Sequence, residues 1–108
     1  MKKVETVEEF DTLVDTEHRF FFVKHSSTCP ISQAAFEEYE KFANDSEIPC
    51  FYLVVQEARP LSNFIAEKFQ VKHESPQAIL FQKADVAWHA SHWKITEKTL
   101  NKASEAPE

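Results

Sequence analysis

The chain has 108 residues, ten of which are Phe, and this length and apolar content predict one domain around a single core. Its net charge of -6 and the lack of a Lys or Arg cluster exclude a phosphate-backbone footprint, so nucleic acid is not an expected partner. The absence of Gly excludes glycine-rich phosphate loops and leaves turns with positive φ to Asn or Asp. No apolar run could span a bilayer and the N-terminus is no signal peptide, so we expect a soluble cytoplasmic protein without a membrane partner.

Hydrophobic periodicity predicts an alternation of helices and strands along the chain. A short strand at 3–5 precedes a helix over 7–15, in which Thr6 and Glu9 fit a capping box. A continuous apolar run predicts a strand over 19–25 that is buried on both faces at its centre. The remaining predicted elements are a helix from 32 towards 44, a strand at 50–55, a helix opened by Pro60, a loop at 71–76, a strand at 77–82, a turn at 83–85, a strand at 86–92 and a helix capped by Thr96.

The segment from Ser26 to Ser32 lies where the predicted buried strand ends and the second helix begins. Pro30 suits the first helical position, which has no intrahelical use for an N–H, and this puts Cys29 at the N-cap. A thiolate can accept from the free N–H groups of the first turn, and the helix dipole favours its charge. We therefore predict that Cys29 is a nucleophile with a pKa below the value of about 8.5 for a free thiol, rather than a small buried hydrophobe.

Parallel strands followed by an antiparallel hairpin predict an α/β fold, with a central mixed sheet of four to five strands flanked by helices on both faces. Functional sites in such sheets form beyond the carboxyl ends of the strands, where Cys29 is predicted to lie. No linker or repeat divides the chain, so residues 1–108 are expected to form a single domain.

The order of strand, cysteine at a helix start, and X-Pro before a later strand resembles a thioredoxin-fold protein. Thr28-Cys29-Pro30-Ile31-Ser32 is similar to the active site of the monothiol bacilliredoxins of the general-stress type, found in Gram-positive bacteria that use bacillithiol. Ser75-Pro76-Gln77 and the segment 88–93 also resemble that family, so the similarity extends over nearly the whole chain. The chain departs from thioredoxin itself at Ser32, where thioredoxin has its second cysteine.

The resemblance implies a thioredoxin-like oxidoreductase of redox homeostasis and stress response that removes bacillithiol from protein mixed disulfides. Bacillithiol would be the co-substrate, bacillithiolated proteins would be the partners, and no tightly bound cofactor is expected. The protein would be a monomer or a weak dimer. Cys29 would be the catalytic residue, and the motif that binds the thiol and the substrate would comprise Thr28, Pro30, Ile31, Ser32, Ser75 and Pro76.

Ser32 cannot form a disulfide, so the mechanism is expected to use one protein thiol. Cys29 would attack a mixed disulfide and keep the small thiol until a second small thiol releases it. The Ser32 hydroxyl could donate to the thiolate or bond only within the first turn.

Similarity to thioredoxins implies a cis peptide bond before Pro76, with the loop against Cys29 and the backbone of Ser75 free to pair with a substrate strand. The alternative is an ordinary loop proline before a strand. Cys50 follows Pro49 and starts an apolar strand, so we expect a buried structural thiol. A resolving role would need its Cα within about 7 Å of that of Cys29.

The histidines near the Cys29 motif and in the segment 88–93 are each considered both for a functional role and as ordinary residues. A charged His25 would lower the pKa of the Cys29 thiol, and His73 near Pro76 could do the same, or both could be surface histidines. His89 and His92 would point to opposite faces of a strand, and no Cys or carboxylate completes a zinc site, so no metal is expected.

Two other functions stay open from the residues alone. One is an iron–sulfur carrier of the monothiol glutaredoxin type, in which one Cys per subunit and a small thiol hold a cluster in a dimer; the stiffening by Pro30 and the lack of a Gly-Phe pair count against it. The other is a non-catalytic thioredoxin-like binding module, whose activity would survive the change Cys29→Ser.

Overall fold

The computed structural model describes residues 1–107 of the chain. Helices and strands alternate up to a final hairpin, and none of these helices is long and apolar enough to cross a membrane. In chain order the elements are β1 (Lys2–Lys3), α1 (Val7–Thr16), β2 (Arg19–His25), α2 (Pro30–Asp45), β3 (Cys50–Val54), α3 (Arg59–Phe69), β4 (Gln77–Gln82), β5 (Asp85–Ser91), a 3₁₀ helix (His92–Lys94) and α4 (Glu97–Ser104).

The strands form one five-stranded mixed sheet in the order β1-β3-β2-β4-β5. β1 and β2 both run parallel to β3, while β4 runs antiparallel to β2 and β5 antiparallel to β4. Because β2 and β3 are parallel and β4 opposes them, the carboxyl ends of β2 and β3 and the amino end of β4 meet at one edge of the sheet.

β2 separates two cores, because alternate residues of a strand point to opposite faces. Phe20 and Phe22 pack in the layer with α1 and α3, whereas Phe21 and Val23 pack in the layer with α2 and α4. Burying a side chain of this size stabilises the fold by about 1.5–3 kcal/mol. The predicted mixed sheet with helices on both faces is confirmed, but the expected single core is wrong, because the sheet divides it into two layers.

Phe10 of α1 is the centre of the first layer and is fully buried. Its ring meets its aromatic neighbours edge to face at centroid distances of 5.4 to 6.4 Å. Each such pair adds about 0.5–1.5 kcal/mol beyond area burial. These neighbours come from β2, α3 and β4, and they are Phe20, Phe22, Phe64, Phe69 and Phe81.

Several helix and strand ends differ from the predictions. β1 covers Lys2–Lys3 instead of 3–5, β3 ends at Val54 instead of residue 55, and β5 begins at Asp85 instead of residue 86. The Thr6 Oγ1 accepts from the Glu9 N–H at 3.1 Å, but the Glu9 carboxylate accepts from the Glu5 N–H at 3.4 Å, so the predicted capping box is only half formed. β5 ends at Ser91 instead of residue 92, because His92 has a φ of 55° and turns the chain into the 3₁₀ helix.

The expectation that Asn or Asp would supply the positive φ angles is wrong. These angles occur at Gln70, Lys83, Ala84 and His92. Lys83 and Ala84 form the two-residue connection between β4 and β5, and such a connection needs positive φ at both positions to match the twist of the strands. The strand register thus determines the backbone here, at a cost of about 1–2 kcal/mol for each residue that is not Gly.

Candidate active site

Cys29 lies at the sheet edge where β2 ends and α2 begins. It is the N-cap of α2, with extended backbone angles (φ -107°, ψ 120°), and Pro30 follows in the first turn. The side chain is half-buried. Of its neighbours in the motif, Thr28 and Pro30 are exposed and Ile31 is half-buried. The predicted position of Cys29 is confirmed.

The first amide N–H groups of α2 have no hydrogen-bond acceptor within the helix. The first intrahelical hydrogen bond runs from the Gln33 N–H to the Cys29 carbonyl at 3.0 Å, so the N–H groups of Ile31 and Ser32 have no acceptor within the helix. The Cys29 side chain makes no capping hydrogen bond. The expected sulfur–amide contact is therefore absent from the structure.

Gln56 holds the loop that precedes Cys29. Its Nε2 donates to the Ser26 Oγ at 2.8 Å and to the Thr28 Oγ1 at 3.3 Å, and its Oε1 accepts from the Ser27 N–H at 3.1 Å. Gln56 was not predicted to belong to the site. The signal was available, because Gln56 directly follows a predicted strand parallel to β2, and the ends of parallel strands meet at one edge.

The Ser32 hydroxyl joins the start of α2 to the end of β2. It is fully buried, accepts from the Ser26 N–H at 2.8 Å and lies 2.9 Å from the His25 Nδ1. One contact is with the last residue of β2 and the other with the first residue of the loop, and neither is with the Cys29 sulfur. Neither role expected from the sequence is therefore seen: the hydroxyl bonds neither to the sulfur nor within the first turn, but back to His25 and Ser26.

His25 is a core histidine, which neither sequence interpretation anticipated. Its side chain is 8% exposed and its ring stacks on Phe36 at a centroid distance of 4.3 Å. Burial lowers the pKa of His25, against a weaker opposing effect of Ser32 and Glu40. A charged His25 beside Cys29 is thus not favoured, and the alternative of a surface histidine is wrong, because the ring is buried.

The Ser75–Pro76 peptide bond is cis, as expected from the resemblance. Gln77, the next residue, pairs with Lys24 of β2, so the loop enters the sheet at the edge that carries Cys29. The Pro76 carbonyl accepts from the His92 N–H at 3.0 Å. The Ser75 Oγ is buried and has no hydrogen-bond partner within residues 1–107.

Cys50 lies at the opposite end of the sheet. It pairs with Phe21, four residues before the pairing of Val54 with His25 at the edge that carries Cys29, which is a separation of about 13 Å along the strands. The Cys50 thiol donates to the Ile48 carbonyl at 3.3 Å, and burial raises its pKa. The prediction of a buried structural thiol is confirmed, and Cys50 is too far away to resolve a disulfide at Cys29.

A buried lysine lies beneath the loop before Pro76. The Lys24 Nζ donates to the Ser62 carbonyl at 2.9 Å and lies 3.3 Å from the His73 Nδ1, which is also 3.1 Å from the Ser62 Oγ. Burial lowers the pKa of Lys24 to about 8. Burial, and then the charges of Lys24 and Arg59, lower the pKa of His73, so a charged His73 is not favoured either. The sequence signal was a lysine inside a strand predicted to be buried on both faces.

His89 of β5 and His92 of the 3₁₀ helix do not form a metal cluster with their neighbours. The His92 Nδ1 lies 3.8 Å from the Glu74 carboxylate. Within the part of the chain that the structure describes, no group of three or more His, Cys, Asp and Glu residues could hold a metal ion.

Comparison with known proteins supports the fold and a family. The family model described as monothiol bacilliredoxin BrxC matches residues 2–100. A solved structure described as a candidate oxidoreductase with a thioredoxin fold is 38% identical, with 95% of this chain and 92% of that one covered and a TM-score of 0.91. Thioredoxins of Plasmodium falciparum (TM-score 0.78, 97% of each chain covered) and Fasciola hepatica (TM-score 0.77, 96% of each) are 14% identical. At that identity the thioredoxins bear on the fold alone, and the predicted thioredoxin-like fold is confirmed.

The lowered pKa of Lys24 predicts a pH dependence that Lys24→Met removes. The unfolded chain holds this proton up to a pH of about 10.5 and the folded chain only up to about 8, so the folded state binds fewer protons between these values. The free energy of unfolding of the wild type should therefore rise relative to that of Lys24→Met over this range, by up to about 3 kcal/mol.

Urea unfolding of both proteins at several pH values measures this difference. Tyr39 and Cys50, whose pKa values are also raised by burial, titrate in both proteins and cancel in the comparison. If the wild type and Lys24→Met differ in free energy of unfolding by the same amount at neutral pH and at a pH near the pKa of a free lysine, the desolvation of Lys24 is contradicted.

Proposed function

We propose, because this chain belongs to the monothiol bacilliredoxin family, that it is a thiol-disulfide oxidoreductase that removes bacillithiol from protein mixed disulfides through Cys29 alone. The observation that carries the proposal is the position of Cys29. Its half-buried thiol lies at an uncapped helix start, with a serine where a dithiol enzyme would have its second cysteine.

The open amides of the first turn support a thiolate at Cys29. The N–H groups of Ile31 and Ser32 are at the positive end of a helix of sixteen residues, and they have no intrahelical acceptor. A negative sulfur at this place is stabilised by the helix dipole, and the thiolate is the form that attacks a disulfide. In this proposal His25 is neutral. It positions the loop through its contact with Ser32 and does not stabilise the Cys29 thiolate with a positive charge.

The exchange has two steps, and in each of them one thiolate displaces another at a sulfur atom. In the first step the Cys29 thiolate attacks the bacillithiol sulfur of the mixed disulfide; the old S–S bond breaks, and the substrate cysteine leaves as a thiolate that takes a proton from water. In the second step a free bacillithiol thiolate attacks the bacillithiol sulfur bound to Cys29. Cys29 is released as a thiolate, and the second product is the disulfide of bacillithiol.

An external thiol is needed because neither Ser32 nor Cys50 can release the adduct from Cys29. Ser32 has no sulfur, and Cys50 lies at the far end of β3, about 13 Å along the strand from the end that faces Cys29. The adduct on Cys29 is thus expected to persist until a second small thiol arrives.

The loop with Ser75 and Pro76 is the proposed docking place of the substrate. It lies at the sheet edge that carries Cys29, and an extended segment can pair with the backbone of Ser75 by main-chain hydrogen bonds. This pairing would present the mixed disulfide to the Cys29 sulfur.

The adduct provides a direct test of the nucleophile. Incubation with a bacillithiolated protein, without free thiol, should add the mass of one bacillithiol to the wild type and to Cys50→Ala, but not to Cys29→Ser, because only Cys29 attacks. Intact-mass spectrometry reads the result. Adduct on Cys29→Ser, or none on the wild type, would contradict the proposal; a biological activity that survives Cys29→Ser would favour the binding module.

Replacement of Ser32 tests the requirement for an external thiol. In Ser32→Cys the new thiol can attack the adduct from within, so the adduct lifetime without free thiol should fall by about tenfold or more, since the attack becomes intramolecular. Ser32→Ala is the matched control, because it loses the same hydrogen bonds to Ser26 and His25 without gaining a thiol. Equal adduct lifetimes in the two variants would count against this account of the site.

A further inference from the structure

Lys24 is a buried cation whose contacts are not explained by the exchange chemistry. It is fully buried in β2, directly after three Phe and one Val, and its hydrogen-bond partners are the Ser62 carbonyl and the His73 ring, neither of which is a carboxylate. An apolar side chain would be buried here at lower cost, because an ammonium loses its hydration. The contacts of Lys24 therefore indicate a role that an apolar residue could not fill.

These contacts fasten the loop between α3 and β4 from the inside. The Lys72 carbonyl accepts from the Gln77 Nε2 at 3.0 Å, and the His73 ring is held by Lys24 and by the Ser62 hydroxyl. Lys24 and Gln77 are direct partners across β2 and β4. The paired residues of two neighbouring strands thus both hold the loop that contains Ser75 and Pro76.

The contact between Lys24 and His73 requires a neutral imidazole. Only an unprotonated Nδ1 can accept from the Lys24 ammonium, so the ring proton must be on Nε2. The charges around the ring are Lys24 on β2, Arg59 on α3 and Glu74 next to it in the loop. Partial burial of the ring and then the two cations lower the pKa of His73, and Glu74 is the weaker opposing influence, so the neutral ring that can accept from Lys24 is favoured.

We propose that Lys24 is a positioning residue that acts through His73 to hold the Ser75–Pro76 loop in the conformation that receives the substrate strand. The inference rests on the proposed function, because it assigns Lys24 to the docking of the protein substrate and not to the reactivity of the Cys29 sulfur. Loss of Lys24 should therefore weaken the capture of a protein disulfide but leave the alkylation of Cys29 by a small reagent unchanged. A general structural role would change both.

The test compares Lys24→Met, His73→Ala and the double variant with the wild type. Each single variant should raise the KM for a bacillithiolated protein about tenfold with kcat unchanged, as expected for one lost charge-assisted hydrogen bond. The double variant should be no worse than either single one, because both act through one contact. Alkylation of Cys29 by iodoacetamide should stay within about twofold of the wild type in all of them.

Lys98→Met is the matched control for the lost charge. Lys98 is exposed on α4, so its variant should keep the KM of the wild type. His73→Ala also serves as the second variant if Lys24→Met does not fold, since the His73 side chain is exposed. An unchanged KM in Lys24→Met, effects that multiply in the double variant, or an equal loss of iodoacetamide reactivity would each overturn the inference.

Amide hydrogen exchange separates this inference from the proposed function. If the wild type transferred no bacillithiol, the proposed function would fail by itself. The loop can still be measured through the His92 amide, which donates to the Pro76 carbonyl: its exchange should be about tenfold faster in Lys24→Met than in the wild type, and unchanged in Lys98→Met. Equal protection of the His92 amide in Lys24→Met and the wild type would overturn the role of Lys24.

Discussion

The hydrogen bonds of Ser32 and Gln56 hold the four residues in which the chain turns from β2 into α2. Ser32 reaches back from the helix to the end of β2, and Gln56 reaches across from the end of β3 to Ser26, Ser27 and Thr28. With both sides of the loop held, Cys29 is kept at the N-cap and the first-turn amides remain open. The position of Cys29 thus depends on polar groups that form no hydrogen bond with its sulfur.

β2 contributes both to the two cores and to the candidate active site. Its first half supplies the Phe side chains of both cores, and its last two residues, Lys24 and His25, put one polar group beneath each face of the site. His25 supports the loop before Cys29 through Ser32, and Lys24 supports the loop before Pro76 through His73. One strand therefore supports both loops between which a substrate would lie.

Periodicity predicted the elements well, because long apolar faces decide helix and strand with little ambiguity; β2 and β4 have the predicted bounds. It also placed Cys29, because proline and a preceding strand fix a helix start. It failed for Ser32, His25, Gln56 and Lys24, whose roles depend on side-chain directions and on partners 6 to 49 positions away. It failed as well for the hairpin, where the register imposes positive φ on Lys83 and Ala84.

The central claim is that the folded helix start activates the Cys29 sulfur, and its reactivity towards iodoacetamide measures this most directly. Cys50→Ala leaves Cys29 as the one thiol, and the alkylation rate is compared between the folded protein and the same chain in urea. At a pH of about 6.5, where a free thiol is only about 1% ionised, the account predicts a rate about fivefold or more higher in the folded protein. An equal or lower rate in the folded protein would contradict it.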